Sequence, residues 1–175
     1  MSTPLEIERK WMVQGKPPIE LELLFSQIMK QGYITTDPTV RIREENTTIS
    51  NIQNKPIKDE FVLCFKSHGL LTRKEIEIEI EEEKFIELED LIGLPLISKT
   101  RDTYLLKDGH HLEVNLVDEG LPTEFWYAEI EFSSEEEALQ FDPKDVGLED
   151  YLNNDVTTQK DQSMAAYWNM TRLKK

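Results

Sequence analysis

Several things that the chain lacks narrow what it can be. One cysteine, Cys64, in 175 residues leaves no internal disulfide, and its apolar surroundings in FVLCF predict a buried, inert thiol. No apolar run approaches the roughly 20 residues of a membrane-spanning helix. The N-terminal MSTPLEIERK has no apolar signal-peptide segment, so we expect a cytoplasmic protein. The length predicts a single domain over residues 1–175.

Basic residues are also scarce. Lysine and arginine number 20 against 35 aspartates and glutamates, which gives a net charge of −15. A nucleic-acid-binding surface normally carries a basic field, so this balance argues against a nucleic-acid partner. The few basic residues are concentrated on predicted strands, next to carboxylates. An acidic exterior around a locally basic interior would account for both observations.

The first strand shows the pattern that recurs along the chain. Residues 5–13, LEIERKWMV, alternate strictly and predict a β-strand. Successive side chains of a strand point to opposite faces, so Glu6, Glu8 and Lys10 share one face. If that face met water it would need no explanation, whereas an inward orientation would make it a charged binding site.

The rest of the chain divides into short strands and a few helices, with a loop-like segment at 46–60. Period-two patterns predict eight strands, at 5–13, 32–36, 38–45, 60–67, 73–81, 97–106, 111–117 and 126–133. Helical patterns cover 19–31, 83–92, 135–141 and about 161–172.

Six strands carry an apolar face and a face dense in charge. A single such strand usually exposes its polar face to water. Here the amphipathic helices need apolar surface to cover, so we expect the charged faces to point toward one another. Eight strands are enough for a closed sheet that encloses side chains or a small ligand. The predicted fold is α+β: an eight-stranded antiparallel β-barrel with a charged lumen, flanked by helices.

The predicted lumen combines two chemistries. Carboxylates in E-x-E pairs lie about 7 Å apart on one face and need cations to offset their repulsion. Hard oxygen ligands select Mg²⁺ or Mn²⁺. Converging arginines and lysines suit a chain of phosphates. Together these favour phosphoryl-transfer chemistry, and the absence of a G-x-x-x-x-G-K-[ST] motif excludes a Walker-type nucleotide hydrolase.

At this point the motifs resemble a known family. EIERK resembles the E-x-E-x-K signature of the CYTH domain, the triphosphate tunnel metalloenzymes. QGYITT, VRIR, FKS, TRKEIEIEI, KTR, LEVN and AEIEF follow in the order and spacing of that family, over about residues 5–133. The small bacterial inorganic triphosphatases of the family are the most similar. The resemblance implies an eight-stranded tunnel that binds a linear triphosphate with Mg²⁺ or Mn²⁺.

The resemblance also implies roles for individual residues. Lys66 and Lys99 would be the basic groups nearest the attacking water and the leaving phosphate, although a carboxylate or a metal-bound water could equally serve as base. Lys160 would lie on a C-terminal segment that closes the tunnel mouth. The phosphate-binding positions would be Lys10, Arg41, Arg43, Lys66, Arg73, Lys99, Arg101 and Lys160. The metal ligands would be Glu6, Glu8, Glu129 and Glu131, with Glu75, Glu77 and Glu113 from neighbouring strands.

Two departures from the family pattern stand out. Asn115 occupies a position where the family usually has aspartate, which removes one carboxylate and puts a second metal in question. The C-terminal QSMAAYW replaces a more basic, tyrosine-rich run, which puts closure by that segment in question.

Hydrolysis of inorganic triphosphate is the leading prediction. A class IV adenylate cyclase or a thiamine or nucleoside triphosphatase is the alternative, disfavoured because QGYITTDPT stands where those branches carry a YFDT-like segment. A polyphosphate-binding module without catalysis is a further alternative, against which the E-x-E clusters argue. The expected partner is a triphosphate-containing small molecule, with no nucleic acid or membrane, and a homodimer remains open.

Overall fold

Eight antiparallel strands close into a barrel in the computed structural model, which describes residues 4–174. The strand order around the barrel is β1-β5-β4-β3-β2-β6-β7-β8. The predicted fold class is therefore confirmed. The strands are β1 (Leu5–Val13), β2 (Glu22–Thr36), β3 (Thr39–Ser50), β4 (Asp59–Lys66), β5 (Thr72–Glu79), β6 (Ile97–Leu105), β7 (His111–Val117) and β8 (Phe125–Glu131).

Short helices flank the barrel. They are α1 (Glu82–Ile92), α2 (Glu135–Gln140) and α3 (Met164–Trp168), with 3₁₀ turns at Pro143–Val146 and Lys160–Gln162 and a π-helical turn at Asn169–Leu173. Gly93 ends α1 in the left-handed conformation, at φ 64°, and its N–H donates to the Glu89 carbonyl. Across residues 4–174, none of the helices has both the length and the apolar character that crossing a membrane requires.

The predicted helix at 19–31 is wrong, because most of it belongs to the 15-residue strand β2. The pairing of β2 with β6 shifts register between Leu23 and Phe25, and its pairing with β3 shifts between Tyr33 and Thr35. Each bulge inserts a residue and moves the next side chain to the other face, which breaks the period of two. The apolar pattern then resembles a helical one. The predicted loop at 46–60 is also shorter, since β3 continues to Ser50.

The main apolar core lies outside the barrel wall. Ile7, Trp11 and Val13 of β1 are buried there, against outward side chains of β7 and β8 and the segment after α2. The Asn154 and Val156 backbones hydrogen-bond to β1 and hold that segment in place. The apolar face of β1 thus serves packing, which leaves Glu6, Glu8 and Lys10 on the inside.

A second apolar cluster closes one end of the lumen. Tyr33, Ile97, Val117 and Tyr127 end the inward-facing rows of β2, β6, β7 and β8 and pack against Met164, Tyr167 and Trp168 around α3. The barrel therefore has an end that α3 covers, despite the unusual C-terminal sequence.

A buried ion pair anchors this C-terminal cap. Arg172 Nη1 and Nη2 donate to Asp118 Oδ2 and Oδ1 at 2.6 and 3.1 Å, and the Tyr167 hydroxyl also donates to Asp118. The Asp118 and Arg172 side chains are only 2% and 8% exposed. Burial opposes ionisation of Asp118, but these donors and the Ser98 N–H outweigh it and hold its pKa below the usual range.

We expect Asp118→Asn to lower the free energy of unfolding by about 3–5 kcal/mol at neutral pH, because Arg172 is left buried without its counter-charge. A carboxylate with a depressed pKa stabilises the fold above its unfolded pKa of about 3.9, and this contribution is lost as pH falls through the folded pKa. The variant should therefore lose less stability than the wild type on acidification. Urea denaturation from pH 7 to pH 3 would measure both effects. Asp59→Asn, at an exposed position, is the control. Equal stability of Asp118→Asn and wild type would contradict the anchoring role.

Candidate active site

Strand alternation brings the predicted charges together inside the barrel. Each inward row continues from one strand to the next through the register of the sheet, as when Glu6 of β1 faces Arg73 of β5. The predicted cations of the strands all lie on these rows. Five are buried, namely Lys10, Arg41, Arg43, Lys66 and Lys99, and the side chains of Arg73 and Arg101 are 22% and 14% exposed.

Lys66 is the centre of one group of ion pairs. Its Nζ lies 2.8 Å from Glu6 Oε1 and 3.0 Å from Glu75 Oε2. Arg73 Nη2 adds a contact of 3.1 Å to Glu6. Burial tends to raise the pKa of Glu6, but the charges of Lys66 and Arg73 outweigh it and lower that pKa to about 2. This part of the lumen is therefore a neutralised ionic network in the free protein.

Two arginines form similar pairs elsewhere in the lumen. Arg43 lies 2.6 Å from Glu45 and 3.0 Å from Glu77. Arg101 lies 3.1 Å from Glu113 and 3.8 Å from Glu129. The structure thus brings together the basic and acidic residues that the sequence placed on one face of each strand.

Tyr127 contacts the two lysines nearest the closed end of the lumen. Lys99 Nζ donates to the Tyr127 hydroxyl at 3.0 Å, and Lys10 Nζ lies 4.2 Å from the centre of the Tyr127 ring. Lys10 also donates to the Gln162 carbonyl at 2.7 Å. Within residues 4–174 neither lysine forms an ion pair with a carboxylate. Burial, with a smaller effect of Arg101, therefore lowers the pKa of Lys99 well below its usual value.

Several lumen residues were not predicted. Glu45 and Tyr127 continue the alternation of Arg41-x-Arg43 and Glu129-x-Glu131 by one more position, so the pattern could have found them. The others lie on β2, where the bulges and the predicted helix hid the inward row. These are Gln27, Met29, Gln31 and Tyr33, all buried.

Carboxylates of β1 and β8 are crowded together without enough positive charge. Glu8 is directly opposite Glu131 in the sheet, and Glu129 is opposite Lys10. Burial, followed by the negative charges of Glu129 and Glu6, raises the pKa of Glu8 to about 8. A set of oxygen donors that repel one another in this way fits a hard divalent cation.

Cys64 is buried, as predicted, but it faces the charged lumen. It pairs in register with Arg41 and Glu77, and its Sγ lies 3.9 Å from Glu75 Oε2. Burial raises the pKa of its thiol. One potential ligand atom from each of Cys64, Glu75 and Glu77 lies within 4.8 Å of the others. Glu75 and Glu77 belong to the predicted metal ligands, and in the described chain no other group of histidines, cysteines and carboxylates has this spacing.

Lys160 stands apart from the other predicted residues. It begins the 3₁₀ turn of Lys160–Gln162, and its side chain is exposed. This turn reaches the lumen through the Gln162 carbonyl, which accepts from Lys10. A contact between Lys160 and a bound phosphate stays a prediction.

Comparison with known proteins agrees with this geometry. No protein-family model matches the chain. An inorganic triphosphatase of Nitrosomonas europaea is 34% identical over 142 residues, which are 79% of this chain and 83% of that protein. The chain belongs to the CYTH family.

The crystal structure of the inorganic triphosphatase NE1496 matches this CYTH protein with a TM-score of 0.58 and 28% identity over 93% of each chain. The PH1819 protein of Pyrococcus horikoshii OT3 matches with a TM-score of 0.54 and 25% identity, over 81% and 86% of the two chains.

We expect Lys99→Met to stabilise the free CYTH protein by about 1–3 kcal/mol, because a buried amine with one neutral partner is replaced by an apolar chain of similar length. A lysine with a depressed pKa destabilises the fold most below its folded pKa, and the penalty disappears as pH approaches about 10. The difference between variant and wild type should therefore shrink as pH rises. Urea denaturation at pH 7 and pH 10 measures it. Lys58→Met, at an exposed position on the barrel surface, is the control, and a destabilised Lys99→Met would argue against an uncompensated lysine.

Proposed function

We propose that this CYTH protein hydrolyses a triphosphate, specifically inorganic triphosphate, inside the barrel with the help of Mg²⁺ or Mn²⁺. The observation that carries the proposal is the convergence of seven cations and eight carboxylates, Glu45 included, from the strands in one lumen that α3 closes at one end. The 34% identical relative that is named an inorganic triphosphatase supports it.

The cations provide the binding energy for the phosphate chain. In the free protein Lys66, Arg43, Arg73 and Arg101 are paired with carboxylates. A polyanion with many oxygens can replace those partners without leaving any of the four ammonium or guanidinium groups unpaired. Arg41 has a donor ready for the ligand, because its buried Nε has no hydrogen-bond partner in residues 4–174.

The carboxylates released in this exchange are suited to hold metal. Glu6, Glu8, Glu129 and Glu131 would be the principal ligands, with Glu75, Glu77 and Glu113 from neighbouring strands. The divalent cation held there would supply positive charge to offset that of the phosphate oxygens and would polarise the phosphorus. The repulsion that raises the pKa of Glu8 would be relieved at the same time.

The reaction itself adds water to the terminal phosphorus and breaks its bond to the bridging oxygen, which yields orthophosphate and pyrophosphate. Lys66, between Glu6 and Glu75, would offset the charge on the phosphate oxygens. Lys99, whose burial favours the neutral amine, would accept the proton that the water loses. Catalysis of this kind depends mainly on position and charge neutralisation.

Phosphate release from tripolyphosphate, ATP and thiamine triphosphate, each with Mg²⁺ or Mn²⁺, tests the proposal directly. We expect the highest kcat/KM for tripolyphosphate. We also expect reversible loss of activity on addition of EDTA, because the divalent cation would supply part of the charge neutralisation that the reaction needs. Cyclic AMP in the ATP samples would instead assign the cyclase alternative. Absence of turnover of every substrate, with tripolyphosphate still bound, would indicate a binding module.

Substitution of single cations tests which side chains contact the substrate. Lys66→Ala and Arg41→Ala should each lower kcat/KM for tripolyphosphate by about 10- to 150-fold, since each removes a charge-assisted contact of about 1.5–3 kcal/mol. Lys58→Ala is a matched control, because Lys58 pairs with Glu60 on the surface at 3.0 Å. Full activity of Lys66→Ala or Arg41→Ala would contradict a substrate contact at that residue.

A further inference from the structure

Asn115 presents a hydrogen-bond donor to the lumen that nothing in the free protein uses. It lies on the inward row of β7, two residues from Glu113, and its side chain is fully buried. Its Oδ1 accepts from Arg101 Nε at 2.9 Å. A guanidinium group can only donate, so this contact fixes the orientation of the amide and identifies the other end as the NH₂ group.

The free end of this amide is unsatisfied. Within residues 4–174 Asn115 Nδ2 has no hydrogen-bond partner, although it is shielded from solvent. A buried donor without a partner costs about as much as a lost hydrogen bond. An acceptor that arrives with a ligand would recover this cost.

The neighbours of Asn115 indicate the chemistry of that acceptor. Across the sheet it faces Arg101 of β6 and Tyr127 of β8. The Tyr127 hydroxyl in turn accepts from Lys99 Nζ at 3.0 Å. Two basic side chains, Arg101 and Lys99, therefore lie close to the unused N–H, and they favour an anionic oxygen as its acceptor.

We propose that Asn115 is a substrate-binding residue, whose side-chain amide donates to a non-bridging phosphate oxygen of the bound triphosphate. This proposal rests on the proposed function for the identity of the anion. It assigns to Asn115 the role of a neutral donor, in place of the carboxylate that the family pattern has at this position. The tunnel then binds phosphate, and not metal, at this point of β7.

Binding of sodium tripolyphosphate in EDTA, measured by calorimetry on the full chain, tests the contact without metal or turnover. Asn115→Asp keeps the acceptor for Arg101 and removes the donor, whereas Asn115→Ala removes the donor without adding charge. We expect both variants to raise the Kd for tripolyphosphate tenfold or more, because each loses a hydrogen bond to a charged group. Asn153→Ala is the control, because Asn153 is an exposed asparagine whose Nδ2 donates to the Asp150 carbonyl, and we expect less than a threefold change.

The stability of the free protein separates a binding role from a structural one. Asn115→Asp should unfold in urea at the same midpoint as the wild type or higher, because its contact with Arg101 gains a charge. Lower stability with unchanged Kd would overturn the proposal. Unchanged Kd in Asn115→Ala would also overturn it, and would assign any weakening in Asn115→Asp to the added negative charge.

The same data distinguish this proposal from the proposed hydrolysis. If the wild type hydrolyses tripolyphosphate but Asn115→Ala binds it like the wild type, the Asn115 contact is refuted and the hydrolase stands. If the wild type binds without hydrolysis and both variants bind more weakly, the contact stands and the hydrolase is refuted.

Discussion

Mutual neutralisation of charge inside a closed barrel is the constraint on which the rest of the structure depends. Ions removed from water cost several kcal/mol each unless they are paired and hydrogen-bonded. Lys66 satisfies this condition with Glu6 and Glu75, and Arg43 and Arg101 satisfy it with their own carboxylates. The barrel can close over charged rows because four of the seven cations, Arg43, Lys66, Arg73 and Arg101, contact carboxylates inside it.

This constraint moves the apolar core to the outside of the wall. A strand has two faces, and if one is committed to ion pairs the other must supply the hydrophobic stabilisation. Trp11 and Ile130 are buried in the outer core under the segment that follows α2, while Glu129 and Lys10 on the same strands are inside. The C-terminal cap then closes one end with aromatic side chains, where the charged rows finish.

The sequence predicted the barrel and most of the lumen because the alternation of charged and apolar residues depends only on the local geometry of a strand. LEIERKWMV places Glu6 and Lys10 on one face of a strand, and TVRIRE does the same for Arg41 and Arg43. The inward orientation of these faces was inferred from the strands and helices taken together. The failures lie where the pattern was interrupted or looked apolar. Gln27 and Gln31 lie on a row of β2 that carries no charged side chain, so the charge pattern did not mark it.

Residues that depend on long-range pairing were beyond the sequence patterns. Alternation could have placed Tyr127 on the inward row of β8, but its contact with Lys99 could not be predicted, because that contact requires β6 and β8 to be neighbours of β7. The surroundings of Cys64 were missed because FVLCF reads as an apolar strand, whereas the register places its thiol opposite Glu77. The pattern of one strand does not contain this information, which arises from closure of the sheet.

The division of the lumen into cations with and without carboxylate partners has a specific consequence for ligand binding. When a paired cation exchanges its carboxylate for a phosphate oxygen, the ion pair that is broken offsets part of the energy of the new contact. A group that has no carboxylate partner in the free protein breaks no ion pair, so its contact with the ligand adds in full. Arg41 and Asn115, whose buried donors have no hydrogen-bond partner in residues 4–174, are such groups, and so is Lys99, whose partner is the neutral Tyr127 hydroxyl. These groups come from β3, β7 and β6. A ligand that satisfies all three must span the lumen, and a linear polyanion with several oxygens meets that requirement better than a single phosphate.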